Sequence, residues 1–455
     1  MTAEERRERQ TKLQLMPASW RLMNSDNGVS AYEALQPPLY YWLMTPVLRA
    51  VANSDLPGQV ILLRWISVAI TSLAIPLTFA IGRRAIQNER AAFGCAAVVA
   101  LMPGLATDVA RVSNESVSIL LFSFLAWVGL KILAGERDTR NTVLLGLFLG
   151  LGLLTKAYFL TAVPAVLLLL VYAYGRKYRQ ALIPIALTFA IAGWWYVRNL
   201  VTTDTLSGLA EPIILRTLST PAMIRTIPTI PWLRGVDVIL QSHLYFCGWS
   251  SLTVRSWIYH LFYAIVILAA LGVFMKIKRP AILWLLALYG TFWIGQLYNV
   301  WLQFLTKGLA GSMGWYMYAL VATEVVLCVA AFGRLRTWVT AAGAILFGLL
   351  DLYGMHWLAI PYYTGMIGHK PNGALSALHM SGSRIVGFQC AFERLAVNKG
   401  ALISSRALTV LWLLYLVGTI FAMVFALRTP KESVGSLDNR ILDTTAVQIS
   451  RLTAG

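Results

Sequence analysis

From residue 62 to residue 427 the chain returns repeatedly to apolar runs long enough to cross a bilayer. Hydrocarbon offers no partner to a backbone N–H or C=O, so such a run must satisfy itself as a helix or join a closed barrel. Runs of about twenty residues have helix length, since each residue rises about 1.5 Å against a core of about 30 Å. Leu62–Ile81, Leu182–Val197, Trp257–Met275, Ala281–Trp301, Trp315–Phe332, Trp338–Trp357 and Ala407–Leu427 each read as one crossing. Ala91–Ala134 would be roughly 66 Å long as a single helix, about twice the core, so it reads as a hairpin of two. Its tip is Pro103-Gly104 through Glu115. The same argument folds Asn141–Tyr174 into a hairpin with Lys156 at its tip. The expected class is an all-α polytopic membrane protein of about eleven crossings, plus one interfacial helix near the start.

Charge agrees with this class. Only 13% of residues are charged, about half the share in a soluble domain. The net charge of +18 comes from short Lys/Arg clusters between apolar runs, with no soluble basic domain that would suit nucleic acid. Arg83/Arg84/Arg90, Arg137/Arg140, Arg176/Lys177/Arg179, Lys276/Lys278/Arg279, Arg334/Arg336 and Arg428/Lys431 fall on one side, which the positive-inside rule makes cytoplasmic. The other face then carries the Asp108–Glu115 tip, Lys156, Arg198 and two long loops. The expected order is an outer segment 1–60, a six-crossing bundle 61–200, a loop 201–256, a four-crossing bundle 257–357, a loop 358–406, the last crossing 407–427 and a cytoplasmic tail 428–455. Met1–Lys12 is charged and no apolar stretch follows it, so it is not a signal peptide. Of the four cysteines, Cys247 and Cys390 lie in the long loops as a candidate pair, and no metal-ligand spacing appears.

Chemistry concentrates in a few places. Tyr32-Glu33-Ala34-Leu35-Gln36-Pro37-Pro38-Leu39-Tyr40-Tyr41-Trp42 joins an acid, an amide, a Pro-Pro corner and an aromatic cluster ahead of a short helix over Leu39–Val51. It reads either as an interface anchor or as the edge of a site at the bilayer surface. Asp108, Arg111 and Glu115 form the densest polar group near the membrane: an interfacial ion-pair cluster, or a functional one. Lys156 is either a snorkelling lysine or a cation for a phosphate. Arg198 and Arg64 are further phosphate candidates, since the guanidinium fork donates two parallel hydrogen bonds. His243 and Arg255 read as ordinary loop residues. No nucleotide-binding or hydrolase motif is present, so a substrate would arrive through the membrane.

Several of these landmarks occur in a telling order: Gln36-Pro37-Pro38-Leu39-Tyr40-Tyr41-Trp42, then Arg64 in a helix ending at Gly82-Arg83-Arg84, then Arg111-Val112-Ser113-Asn114-Glu115-Ser116. Next come GLFLGLGLLTK from Gly146 to Lys156, and Gly193-Trp194-Trp195-Tyr196-Val197-Arg198-Asn199. Together they resemble the GT-C type of integral-membrane glycosyltransferase, the group of protein mannosyltransferases and lipid A aminoarabinose transferases, most clearly over residues 30–205. The resemblance implies a sugar donor on a polyprenyl phosphate and transfer to a glycan, lipid or protein on the outer face of a bacterial cytoplasmic membrane. It implies Glu115 as the family's second acid, Lys156 as the lysine of its LLTK element, and Gln36 to Tyr41 as its PPLYY element. Glu33, Asp108 and Glu115 are then the candidate catalytic acids. Gln36, Tyr40, Arg64, Arg111, Lys156 and Arg198 are the candidates for binding the donor and its phosphate. Whether a divalent cation takes part stays open. The family also carries a spanning helix and an acid-bearing loop before PPLYY. The chain shows neither, so in-frame coding sequence upstream of Met1 is expected. Its GRY element stands here as Gly314-Trp315-Tyr316. A carrier-binding subunit without activity, and a transporter or flippase, remain as alternatives.

Overall fold

The computed structural model describes residues 35–427 apart from 176–177, 246–251, 276–278, 365–383 and 397–402, together with residues 4, 8 and 11. Among the described residues every long element is a helix, and nine helical stretches are long and apolar enough to cross a membrane. The pair Glu89–Ala100 and Pro103–Val109, bent by 55°, is long and apolar enough when taken together, as a broken span or a re-entrant loop. The eleventh expected crossing, Thr139–Thr155, is apolar but only 17 residues long. The chain is an integral membrane protein.

The helix at the Pro-Pro corner, Leu39–Ala50, has 12 residues. At about 18 Å it is too short to cross the core. Trp42 stacks on Trp194, ring centres 6.0 Å apart, and Tyr40 packs into the main core.

Two stretches expected as loops carry helices. The 201–256 stretch contains Ala210–Leu215, Thr220–Arg225 and Trp232–Leu244. It is tied to the long helix Pro280–Lys307 by polar contacts: Gln303 donates to Glu211 at 3.0 Å, and the Trp301 indole donates to Thr226 at 3.0 Å. The stretch after Trp357 continues as helix to Tyr363, and Arg384–Ala396 forms another helix. Cys247, of the candidate pair, lies outside the described residues.

Water does not drive helices together inside a bilayer, so small residues that allow close approach do much of the work. Gly146 on Thr139–Thr155 faces the backbone of Pro184 on Tyr178–Thr188, where an added Cβ would lie 2.6 Å from the proline Cα. The contact is reinforced by Thr188, whose hydroxyl donates to the Gly146 carbonyl at 3.1 Å. Because the obstacle is backbone, no rotamer change relieves it. Gly146→Leu is expected to cost about 1–3 kcal/mol by overpacking, read as a lower melting temperature in detergent. An unchanged melting temperature would show that the two helices do not pack this closely.

Candidate functional site

The site forms where the adjoining ends of two antiparallel helices meet. Glu115 opens the helix Glu115–Leu133, and Lys156 is the residue that ends Thr139–Thr155. A carboxylate at a helix N-terminus and an ammonium at a C-terminus each complement the helix dipole. Packing the two helices side by side brings those ends together, and Asn114 ties them by donating to the Thr155 carbonyl at 3.3 Å. Lys156 has extended backbone, φ −156° and ψ 137°, so the chain leaves the helix there and re-enters through the short 3-10 turn Ala157–Thr161. That turn brings Tyr158 back over the acid.

Lys156 and Glu115 form an ion pair through Oε1, while the Tyr158 hydroxyl donates to Oε2 at 2.6 Å. Glu115 is only 3% exposed, so its charge is compensated by these partners rather than by water. Lys156 Nζ also lies 5.0 Å from the ring centres of both Tyr158 and Tyr316. Close by, Arg111 pairs with Asp108, which is 2% exposed, and lies 4.6 Å over the Trp315 ring. The Asp108 pairing follows from the 55° bend: Pro103 starts a new short helix, and Asp108 sits near its end, three residues before Arg111. The group therefore holds two acids, two cations and three aromatic rings, with the cations set between carboxylates and ring faces.

Of the residues singled out in the sequence, Asp108, Arg111, Glu115 and Lys156 come together. Gln36 is buried at the Pro-Pro corner, and its Oε1 has no hydrogen-bond partner among the described residues. The Tyr40 hydroxyl meets Ser67 at 3.5 Å. Arg64 is exposed on Leu56–Ser72, and Arg198 is exposed, crossing the Trp195 ring at 4.9 Å. Among the described residues neither arginine has a polar contact with the cluster. Glu33 lies outside the described residues. Among the described residues no group of three or more His, Cys, Asp or Glu side chains is placed to hold a metal ion.

Sequence reading missed the tyrosine donor, the ring platforms and a buried pair. His243, read as a loop residue, ends the helix Trp232–Leu244 and bonds Glu324 Oε1 through Nε2 at 2.9 Å. Glu324 is the lone charged residue of the apolar run Trp315–Phe332, the signal that could have singled it out. It also lines an apolar groove of about 800 Å³ that has Arg255 and Trp257 among its walls. Burial by itself would depress the His243 imidazole, but the Glu324 carboxylate and the Gly314 carbonyl outweigh it and hold the pKa above 6.5.

A folded pKa above the unfolded one gives stability that is complete below the unfolded value and is lost as pH rises through the folded value. The melting temperature is therefore expected to fall as pH rises above about 6.5, and His243→Gln should flatten that slope. An equal slope in wild type and variant would remove His243 as its source. The Glu115–Lys156 pair makes a second prediction. Lys156→Met strands a buried carboxylate and should cost about 3–5 kcal/mol, whereas Glu115→Gln with Lys156→Met together should cost much less. A double-mutant cycle of denaturation midpoints reads this, and additive effects would mean the two side chains do not interact.

Residues 35–196 match the family model for dolichyl-phosphate-mannose-protein mannosyltransferase. Among solved structures, the chain is similar to Cupriavidus metallidurans ArnT in the apo state, at 13% identity and a TM-score of 0.46, covering 86% of this chain and 64% of that one. The same protein bound to undecaprenyl phosphate gives 14% identity and a TM-score of 0.42 with the same coverage. The chain thus spans 64% of the length of these structures. No curated protein matches it at a significant level. The family match falls on the stretch that holds the acids and cations.

Proposed function

We propose that the protein transfers a sugar from a polyprenyl-phosphate carrier to an acceptor on the outer face of a bacterial cytoplasmic membrane. The observation that carries this reading is the Glu115–Lys156–Tyr158 constellation, with Arg111 and Asp108 beside it, inside the stretch that matches the mannosyltransferase family. The ArnT relative with undecaprenyl phosphate bound is in keeping with a lipid-linked donor. The outer face is supported by the Lys/Arg clusters, which lie on the opposite links of the chain from these tips.

The chemistry asks for two things. The acceptor hydroxyl must give up its proton as its oxygen bonds to the anomeric carbon. The bond from that carbon to the phosphate oxygen must break, with its electron pair leaving on the phosphate. Lys156 and Arg111 are cations suited to the phosphate, where negative charge grows as it departs. In the structure they are paired with Glu115 and Asp108. An arriving phosphate competes for them, and each cation that turns to it frees a carboxylate. Asp108, Glu115 and Glu33 are the acids assigned to receive the acceptor proton, and Gln36, Tyr40, Arg64 and Arg198 to shape the donor site. The 201–256 and 358–406 stretches would select the acceptor.

A specific observation also favours a carrier-binding subunit without activity: each described acid of the cluster is already paired with a cation. Purified protein with labelled polyprenyl-phosphate sugars separates the two. Transfer or release of sugar is expected from wild type, with a loss of at least about 100-fold in Glu115→Gln and in Lys156→Met. Carrier binding without any sugar release in wild type would establish the subunit reading instead.

A further inference from the structure

The Trp232–Leu244 helix ends in a buried polar assembly built around one residue, Gly314. Ser242 Oγ accepts the Gly314 N–H at 2.7 Å, and His243 Nδ1 meets the Gly314 carbonyl at 3.2 Å. Both backbone polar groups of a single residue are thus held from one helix end. His243 in turn is anchored by Glu324, and with an acceptor at each ring nitrogen the doubly protonated imidazolium satisfies both. The Tyr318 hydroxyl, four residues beyond Gly314, donates to the His243 carbonyl and closes the loop.

The fit leaves no slack. A Cβ at position 314 would lie 1.9 Å from the Ile239 carbonyl oxygen and 2.5 Å from the His243 nitrogen. A Cβ at Gly104, on the short helix that carries Asp108, would lie 1.8 Å from the Tyr318 hydroxyl. The residues that follow Gly314 are Trp315 and Tyr316, the rings under Arg111 and Lys156. Cation–ring attraction acts within about 6 Å of the ring centre, so a shift of Gly314 by more than about 1 Å would take both rings out of reach of the cations.

We propose that Ser242 and His243 are positioning residues for the cation site: by clamping Gly314 they hold Trp315 and Tyr316 against Arg111 and Lys156, and so keep both cations aimed for a phosphate. The functional half of this statement rests on the reading that the cluster receives a carrier phosphate. The clamp also gives the 201–256 stretch a direct mechanical link to that cluster, because its last described helix bears both clamping side chains.

The test uses full-length protein in detergent, as Ser242→Ala, His243→Gln and Ser242→Thr, with two readouts. The first needs no activity. Amine-reactive labelling, read site by site by mass spectrometry, should rise several-fold at Lys156 in Ser242→Ala and His243→Gln. Lys307, with a side chain 53% exposed, should label as in wild type. The second is kinetic: KM for the polyprenyl-phosphate sugar should rise about tenfold with kcat little changed, as expected when cation–ring contacts are lost. Ser242→Thr keeps the hydroxyl and should restore both values. Ser242→Ala removes a single acceptor and carries the test if His243→Gln does not accumulate. Wild-type labelling of Lys156 together with wild-type KM in folded Ser242→Ala would overturn the clamp. Raised Lys156 labelling in the variants of a wild type that neither binds carrier nor transfers sugar would uphold the clamp and defeat the functional reading.

Discussion

The buried pair of Glu115 and Lys156 is the constraint that the surrounding structure answers. A carboxylate 3% exposed near a membrane requires a cation and a hydrogen-bond donor, and Lys156 and Tyr158 supply them. Meeting that need fixes which helix ends must adjoin. The helix opened by Glu115 and the helix closed by Lys156 pack antiparallel, with the Asn114–Thr155 bond at the joint. The 3-10 turn after Lys156 then has one job, to return the Tyr158 ring and hydroxyl to the acid. Pairing of this kind contributes less to stability than its short contacts suggest, because each ion first loses its water. Its effect is specificity: a wrong register would strand a charge.

Aromatic rings extend the site beyond the ion pairs. Trp315 and Tyr316 sit under Arg111 and Lys156 at the start of an otherwise apolar, deeply buried segment. A ring face attracts a cation without offering it a proton acceptor. The rings therefore steady the cations without adding negative charge to that of the two carboxylates. Arg111 reaches the Trp315 ring from the turn between Pro103–Val109 and Glu115–Leu133.

Much of the class was legible in the apolar runs and their charged links. The hairpin argument from length placed the tips at Pro103–Glu115 and at Lys156, and the helices turn there. The short helix after Pro38 was legible too, since two prolines followed by aromatics set both a corner and an interface anchor. The helices inside 201–256 were not. Trp232–Leu244 is amphipathic and short, and its polar residues read as loop when its main packing partner, the Gly314–Leu320 segment, is some eighty residues away. His243 and Glu324 are 81 residues apart, and no local pattern marks such a pair.

The sequence by itself determined that the chain lies in a membrane as a bundle of helices and that its few polar tips share one set of links. Hydrophobic length and charge asymmetry are properties of short windows, so they can be read without a fold. Only the tertiary structure decided which acid meets which cation, that Arg64 and Arg198 stand apart from the cluster while Arg111 joins it, and that His243 holds a glycine rather than lying in a loop. These are contacts between residues tens of positions apart, set by how helices approach one another. That approach depends on glycines, on one proline bend and on the need to pair every buried charge.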